Sequence, residues 1–184
     1  MILFISGGVR SGKSSFAEQT ALSLYNKSVR EKESSSLYYI ATAKKSDDEM
    51  VDRIRIHQQD RRHTWKTIEE PFDIEHILSN CKKCDVILLD CLTIWVSNVI
   101  FDLNYSLEKL ESVISTCLNL ARKKHFHLII VSNDVNVGIP NPHDSVITYM
   151  YYLQQLHQAI IEQSEIVVEV QAGIPTYWKG VKWL

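Results

Sequence analysis

Residues 7–14 read Gly-Gly-Val-Arg-Ser-Gly-Lys-Ser and follow directly on the apolar run Ile2 to Ser6. This is GxxxxGK[ST] in full, with Gly7, Gly12, Lys13 and Ser14 at the fixed positions. The spacing has a physical cause. Glycines let the backbone curl until successive N–H groups point inward, a shape that suits a polyphosphate. From Lys13 to about Tyr25, Phe16, Thr20 and Leu24 recur on one helical face, so a helix starts at the end of the loop and adds the positive end of its dipole. Strand, glycine loop and helix in immediate succession constrain the fold more than any other feature of the chain. In this setting Lys13 reaches the β- and γ-phosphates and the Ser14 hydroxyl ligates Mg²⁺.

The rest of the chain alternates in the same manner. Strands are predicted at Leu37–Thr42, Asp85–Asp90, Phe126–Ser132 and Ile166–Val170. Helices are predicted at Asp47 to about Asp60, Phe72–Ser79, 92–102, 106–124 and 144–163, with Ser46 as an N-cap. Residues 27–36 and 133–143 read as loops. Strands separated by helices of ten or more residues imply βαβ units. The fold class is α/β: a P-loop NTPase fold, mostly parallel sheet flanked by helices, in a single domain over 1–184. A chain of 184 residues buries about 70% of its unfolded surface and needs no covalent staples.

Composition removes other classes. The net charge is -2, which argues against a dedicated nucleic-acid binder. No apolar run approaches the roughly 18 residues of a membrane span. The N-terminal MILFISGG lacks the positive charges and cleavage pattern of a leader, so the chain reads as cytoplasmic. Cys81 and Cys84 have CxxC spacing without a second pair, and all four cysteines read as reduced thiols rather than zinc or redox groups.

Two further places carry chemistry. Asp90 closes the strand VILLD, where a carboxylate beside a phosphate loop holds Mg²⁺. The competing role is an N-cap for the helix that begins at Leu92. In the helix from 47, Met50, Ile54, His57 and Arg61 share one face, with Arg53 and Arg61 four residues either side of His57 and Asp60 three residues on. Four of the seven arginines, Arg53, Arg55, Arg61 and Arg62, fall in this stretch. Neighbouring cations disfavour an imidazolium, which keeps the ring neutral and nucleophilic, and they neutralise an attacked phosphate. The competing role is a solvated basic face on an amphipathic helix.

These residues resemble the bifunctional adenosylcobinamide kinase / adenosylcobinamide-phosphate guanylyltransferase family of cobalamin assembly. The matching segments are ISGGVRSGKSSFAE at the start, YIATA at 39–43, DDEM at 47–50, RIxxH ending at His57, WKTIEEP at 65–71, LLDCLTIWVSN at 88–98 and VSNDVNVGI at 131–139. The resemblance implies a P-loop α/β sheet and assembly as a homotrimer. It implies phosphorylation of the corrinoid substrate adenosylcobinamide by ATP or GTP, then transfer of GMP from GTP through a guanylyl-histidine at His57. By the same resemblance, nucleotide contacts fall on Gly7, Gly8, Val9, Arg10, Ser11, Gly12, Lys13, Ser14, Ala41, Thr42, Ala43, Gln58, Gln59, Asp60, Arg61, Glu69 and Asp90. The catalytic residues are His57, Lys13 and Asp90, and the Mg²⁺ ligands are Ser14 and Asp90.

The chain departs from the family pattern in one region. Asp134 and Asn136 stand where Glu and Gly are usual, and in helix 144–163 only Gln158 and Tyr149 match the family's Arg-x-Phe-Arg-Asp…Gly…Asn-Gln pattern. These changes bear on the acceptor or subunit-contact side of the site more than on nucleotide binding. A divergent P-loop kinase of another small alcohol and a nucleotide-binding regulatory protein are the alternatives. His57 separates them, because a regulatory protein has no need of a histidine set among arginines.

Overall fold

A computed structural model of the protein describes residues 1–44, 64–135 and 143–181. The described elements are β1 (Ile2–Gly7), α1 (Lys13–Arg30), β2 (Leu37–Ala41), β3 (Trp65–Glu69), α2 (Ile74–Asn80), β4 (Val86–Asp90), α3 (Leu92–Leu103), α4 (Leu107–Lys124), β5 (His127–Asn133), α5 (Asp144–Gln163), β6 (Ile166–Gln171) and β7 (Ile174–Lys179). They form one seven-stranded sheet in the order β3-β2-β4-β5-β1-β6-β7. The first six strands run parallel and β7 is antiparallel to β6. Helices cover both faces, as a parallel sheet requires. The α/β reading and the mostly parallel sheet therefore hold.

Alternate residues of each central strand serve opposite faces. Ile2, Phe4, Ile87, Leu89, Leu128 and Ile130 point to one side and pack under α2, α3, α4 and α5. Leu3, Ile5, Val86, Leu88, Ile129 and Val131 point to the other and meet Ala17, Ala21 and Leu24 of α1. Helix ends are fixed by local chemistry. Asp73 accepts from the His76 amide at 3.0 Å and Ser106 from the Lys109 amide at 3.4 Å, each capping the helix it precedes. Asn104 and His125 close α3 and α4 in the left-handed conformation.

Three expectations need correction. Helix α1 runs to Arg30, into the segment read as loop, because its last turn contains neither glycine nor proline and still buries Ser28. Lys32, at φ 60, lies where the chain leaves that helix for β2. Strand β3 was not predicted: as an edge strand it is half-exposed and lacks an apolar run. Strand β7, in the C-terminal segment, was not predicted either. It returns from β6 through Ala172 and Gly173, at φ 48 and φ 80, the two positive φ values of a tight hairpin turn. The predicted helix at 47–60 lies outside the described residues.

Candidate active site

The parallel strands bring their carboxyl ends to one edge of the sheet. Ala41 at the end of β2 pairs with Glu69 of β3 and with Asp90 of β4, and Gly7 at the end of β1 pairs with Asn133 of β5. Residues scattered from 7 to 133 are thus collected along one line. Strands β2 to β5 all lie on one side of β1, and the chain then passes to β6 on its other side. The crevice outside the strand ends at such a reversal is where open α/β sheets bind ligands. The predicted phosphate loop leaves β1 at this point.

The loop has the geometry its glycines predict. Gly12 sits at φ 90, immediately before α1, and a Cβ there would come within 3.2 Å of the Gly173 Cα. A Cβ on Gly7 would lie 2.4 Å from the Val170 carbonyl oxygen. The Ser11 amide donates to the Gly8 carbonyl at 3.2 Å, and the Ser11 carbonyl accepts from the Gly173 amide at 2.8 Å. The β6–β7 hairpin thus braces the loop from behind. Lys13 is buried, and its Nζ donates to the Gly8 carbonyl at 3.2 Å, folding the ammonium back over the loop. Ser14 is half-buried in the first turn of α1, while Val9 and Arg10 lie exposed at the tip. The start of α1 supplies the electropositive end suited to an anion.

Asp90 ends β4, half-buried. The N-cap of α3 is Cys91, and its side chain makes no capping bond. The Asp90 carboxylate instead accepts from the Tyr39 hydroxyl at 2.8 Å. Of the two roles open to this residue, capping is therefore not the one it plays. Burial first, and then the Asp90 charge, push the Cys91 thiol up to about 11, while Lys13 opposes them. No three metal-binding side chains cluster among the described residues. Ser14 and Asp90 offer only oxygen, and one carboxylate with a hydroxyl suits Mg²⁺, which is commonly held with substrate phosphates rather than in a protein cage. The donor set fits that ion.

The next wall is pinned by buried hydrogen bonds. The Thr42 hydroxyl donates to the Cys91 carbonyl at 2.8 Å and accepts from the Cys91 amide at 2.9 Å. The Thr42 amide donates to the Asp90 carbonyl at 3.2 Å. Asn98 of α3 donates to the carbonyls of Thr42 and Pro71, at 2.8 Å and 3.2 Å. These bonds hold Ala41, Thr42 and Ala43 beside Asp90, with Glu69 exposed at the end of β3. His57, Gln58, Gln59, Asp60 and Arg61 lie outside the described residues.

A profile described as cobinamide kinase / cobinamide phosphate guanyltransferase matches residues 3–177. The chain belongs to this family. Among relatives, the bifunctional adenosylcobalamin biosynthesis protein CobP of Pseudomonas aeruginosa is 33% identical over 177 residues, covering 96% of each chain. The bifunctional adenosylcobalamin biosynthesis protein CobU of Escherichia coli is 30% identical over 155 residues, covering 76% of this chain and 78% of its own. CobU of Salmonella typhimurium is 28% identical over 155 residues.

The family match runs past α5 and includes the β6–β7 hairpin to Tyr177, so the phosphate loop and its brace both fall within it. Some partners in the site were not recognised from sequence. Tyr39 reads as an ordinary strand aromatic, and its bond to Asp90 spans 51 positions. Nothing near His157 in sequence marks it. It is partly buried, with Nε2 2.8 Å from the Ser132 hydroxyl and its ring edge-on to Phe4. Burial lowers its pKa to about 4, against the opposing pull of Asp134.

Proposed function

We propose that this protein phosphorylates the aminopropanol hydroxyl of adenosylcobinamide with a nucleoside triphosphate and then transfers GMP from GTP to the new phosphate. The observation that carries the first step is the braced phosphate loop, with Lys13 folded over it and Asp90 at the end of β4, one strand beyond β5 on the same edge of the sheet. Phosphoryl transfer asks a protein mainly for positioning and charge stabilisation. The loop amides and the start of α1 orient the triphosphate, and Lys13 offsets charge on its β- and γ-oxygens. Ser14 and Asp90 would hold Mg²⁺, which supplies further neutralisation of phosphate charge. Tyr39 fixes the Asp90 carboxylate for that task.

For the second step we assign the nucleophile to His57, on its arginine-flanked sequence and on family membership. The His57 nitrogen attacks the α-phosphorus of GTP, and the bond to pyrophosphate breaks. An oxygen of the cobinamide phosphate then attacks the same phosphorus, and the P–N bond breaks to free His57. A P–N bond retains transfer potential, so two displacements conserve the reactivity of GTP. Gln58, Gln59, Asp60, Arg61 and Glu69 complete the nucleotide contacts in this reading. We further assign residues 1–184 to one nucleotide-binding domain that acts in the cytoplasm as a homotrimer. No described helix is long and apolar enough to cross a membrane.

The test is turnover of adenosylcobinamide with Mg²⁺ and GTP, followed by mass spectrometry. The wild-type protein should yield the phosphate and then the GDP-linked product. His57→Ala should stop at the phosphate, and Lys13→Ala should form neither. Unaltered adenosylcobinamide in the presence of a protein that binds GTP refutes the reading. Phosphorylation of a different alcohol in its place favours a divergent kinase.

A further inference from the structure

A line of buried polar groups crosses beneath the phosphate-binding edge from α3 to α5. The Asn133 amide, at the end of β5, donates to Thr93 Oγ1 at 2.7 Å. Thr93 Oγ1 lies 3.1 Å from Ser132 Oγ, which lies 2.8 Å from His157 Nε2. Thr93 and Ser132 are buried, and Tyr149 donates to the Thr93 carbonyl at 3.0 Å.

Proton counting gives the chain a direction. Thr93 Oγ1 already accepts from Asn133, so its one hydrogen must go elsewhere. The two acceptors in reach are Ser132 Oγ and the Cys91 thiol, and sulfur is the weaker. With Thr93 donating to Ser132, the Ser132 hydrogen passes to His157 Nε2, which then carries no proton. A neutral imidazole protonated on Nδ1 completes the line.

The far end of the line meets the phosphate loop. Asn133 pairs with Gly7, and the next amide, Asp134 N–H, donates to the Gly7 carbonyl at 3.1 Å. Thr93 is the second residue of α3, three positions beyond Asp90. The chain therefore ties α5 to the two strand ends that flank the phosphate crevice.

We propose that His157 is a positioning residue for nucleotide binding, a neutral acceptor that sets the Ser132–Thr93–Asn133 chain and through it the register of β5 against Gly7. It touches no substrate in this role. The inference rests on the nucleotide reading of the loop, and the following measurements separate the two.

The protonation state is read from ¹⁵N-histidine spectra at pH 7, with the His157 signals identified by their loss in His157→Gln. We expect the Nδ1–H tautomer with an unprotonated Nε2. An Nε2–H tautomer overturns the proposal. GTP affinity is read by calorimetry, without turnover, alongside thermal melting. His157→Leu and Ser132→Ala should each weaken GTP binding about tenfold, and the double variant no more than either, because the two act through one chain. His157→Gln presents an amide oxygen in place of Nε2 and should bind GTP within about twofold of wild type. His157→Leu that binds GTP as tightly as wild type refutes the proposal. So does folded His157→Gln that is as weak as His157→Leu. If the wild-type protein binds no GTP, the nucleotide reading falls, and with it the proposed role of His157.

Discussion

Replacing Gly7 with alanine should damage both stability and nucleotide binding, and the size of the effect can be worked from one distance. The added Cβ would lie 2.4 Å from the Val170 carbonyl oxygen and 2.7 Å from Ser11 Oγ. Carbon and oxygen in contact settle at about 3.3 Å or more, so one or both must move by about 1 Å. The serine hydroxyl can turn aside. The Val170 carbonyl cannot, because β6 is paired on one side with β1 and on the other with β7. Forcing a methyl into such a site costs about 1–3 kcal/mol. For a chain of this size that lowers the melting temperature by roughly 2–4 °C per kcal/mol. The shift falls on the first residue of the phosphate loop, where a displacement of about 1 Å can cost on the order of 100-fold in rate. Gly8→Ala is the internal control, since nothing lies within 4 Å of its Cβ. Its stability should stay within about 0.5 kcal/mol of wild type. Thermal melts and GTP calorimetry on both variants check the contrast. Gly7→Ala with wild-type melting and affinity, or Gly8→Ala with the same melting loss, refutes the steric reasoning.

Asn98→Ala leaves the carbonyls of Thr42 and Pro71 without their buried donor and should destabilise the protein by about 1–3 kcal/mol in urea unfolding; no change in midpoint contradicts the pinning. Tyr39→Phe removes the donor to Asp90 and should raise the Mg²⁺ concentration needed for half-maximal activity, with little change in melting; an unaltered Mg²⁺ dependence counts against that role. Burial lowers His127 and His157 to about 4, from 6.5, with the N-terminal ammonium adding to the effect at His127. Between those values the unfolded chain binds protons that the folded protein does not, so stability should fall as pH drops from 7 toward 4. Urea midpoints at pH 7 and pH 5 should diverge less in a His127→Gln, His157→Gln double variant than in wild type; equal divergence refutes the assignment.

How much could be read beforehand follows from the range of the interactions. The phosphate loop was legible because its glycine spacing answers to backbone geometry within eight residues. Strands β1, β2, β4, β5 and β6 were legible because a parallel strand buried on both faces must be largely apolar. Edge strands β3 and β7 are half-exposed and carry no such signal. The last turn of α1 buries only the small polar Ser28, so no buried apolar residue extends the helical pattern to Arg30. The Tyr39 bond to the Asp90 carboxylate spans 51 positions, so no local pattern marks it. The Thr93–Ser132–His157 line was invisible for the same reason, since its links span 39 and 25 positions. His57 is the reverse case: its role rests on sequence and family, and it lies outside the described residues.

That histidine carries the central claim, and covalent capture tests it most directly. The protein is incubated with Mg²⁺ and GTP labelled at the α-phosphate, then denatured. The predicted result is label on the protein that is acid-labile and alkali-stable, lost in His57→Ala, and released on adding cobinamide phosphate. Absence of label while the same protein binds GTP, or label undiminished in His57→Ala, contradicts it.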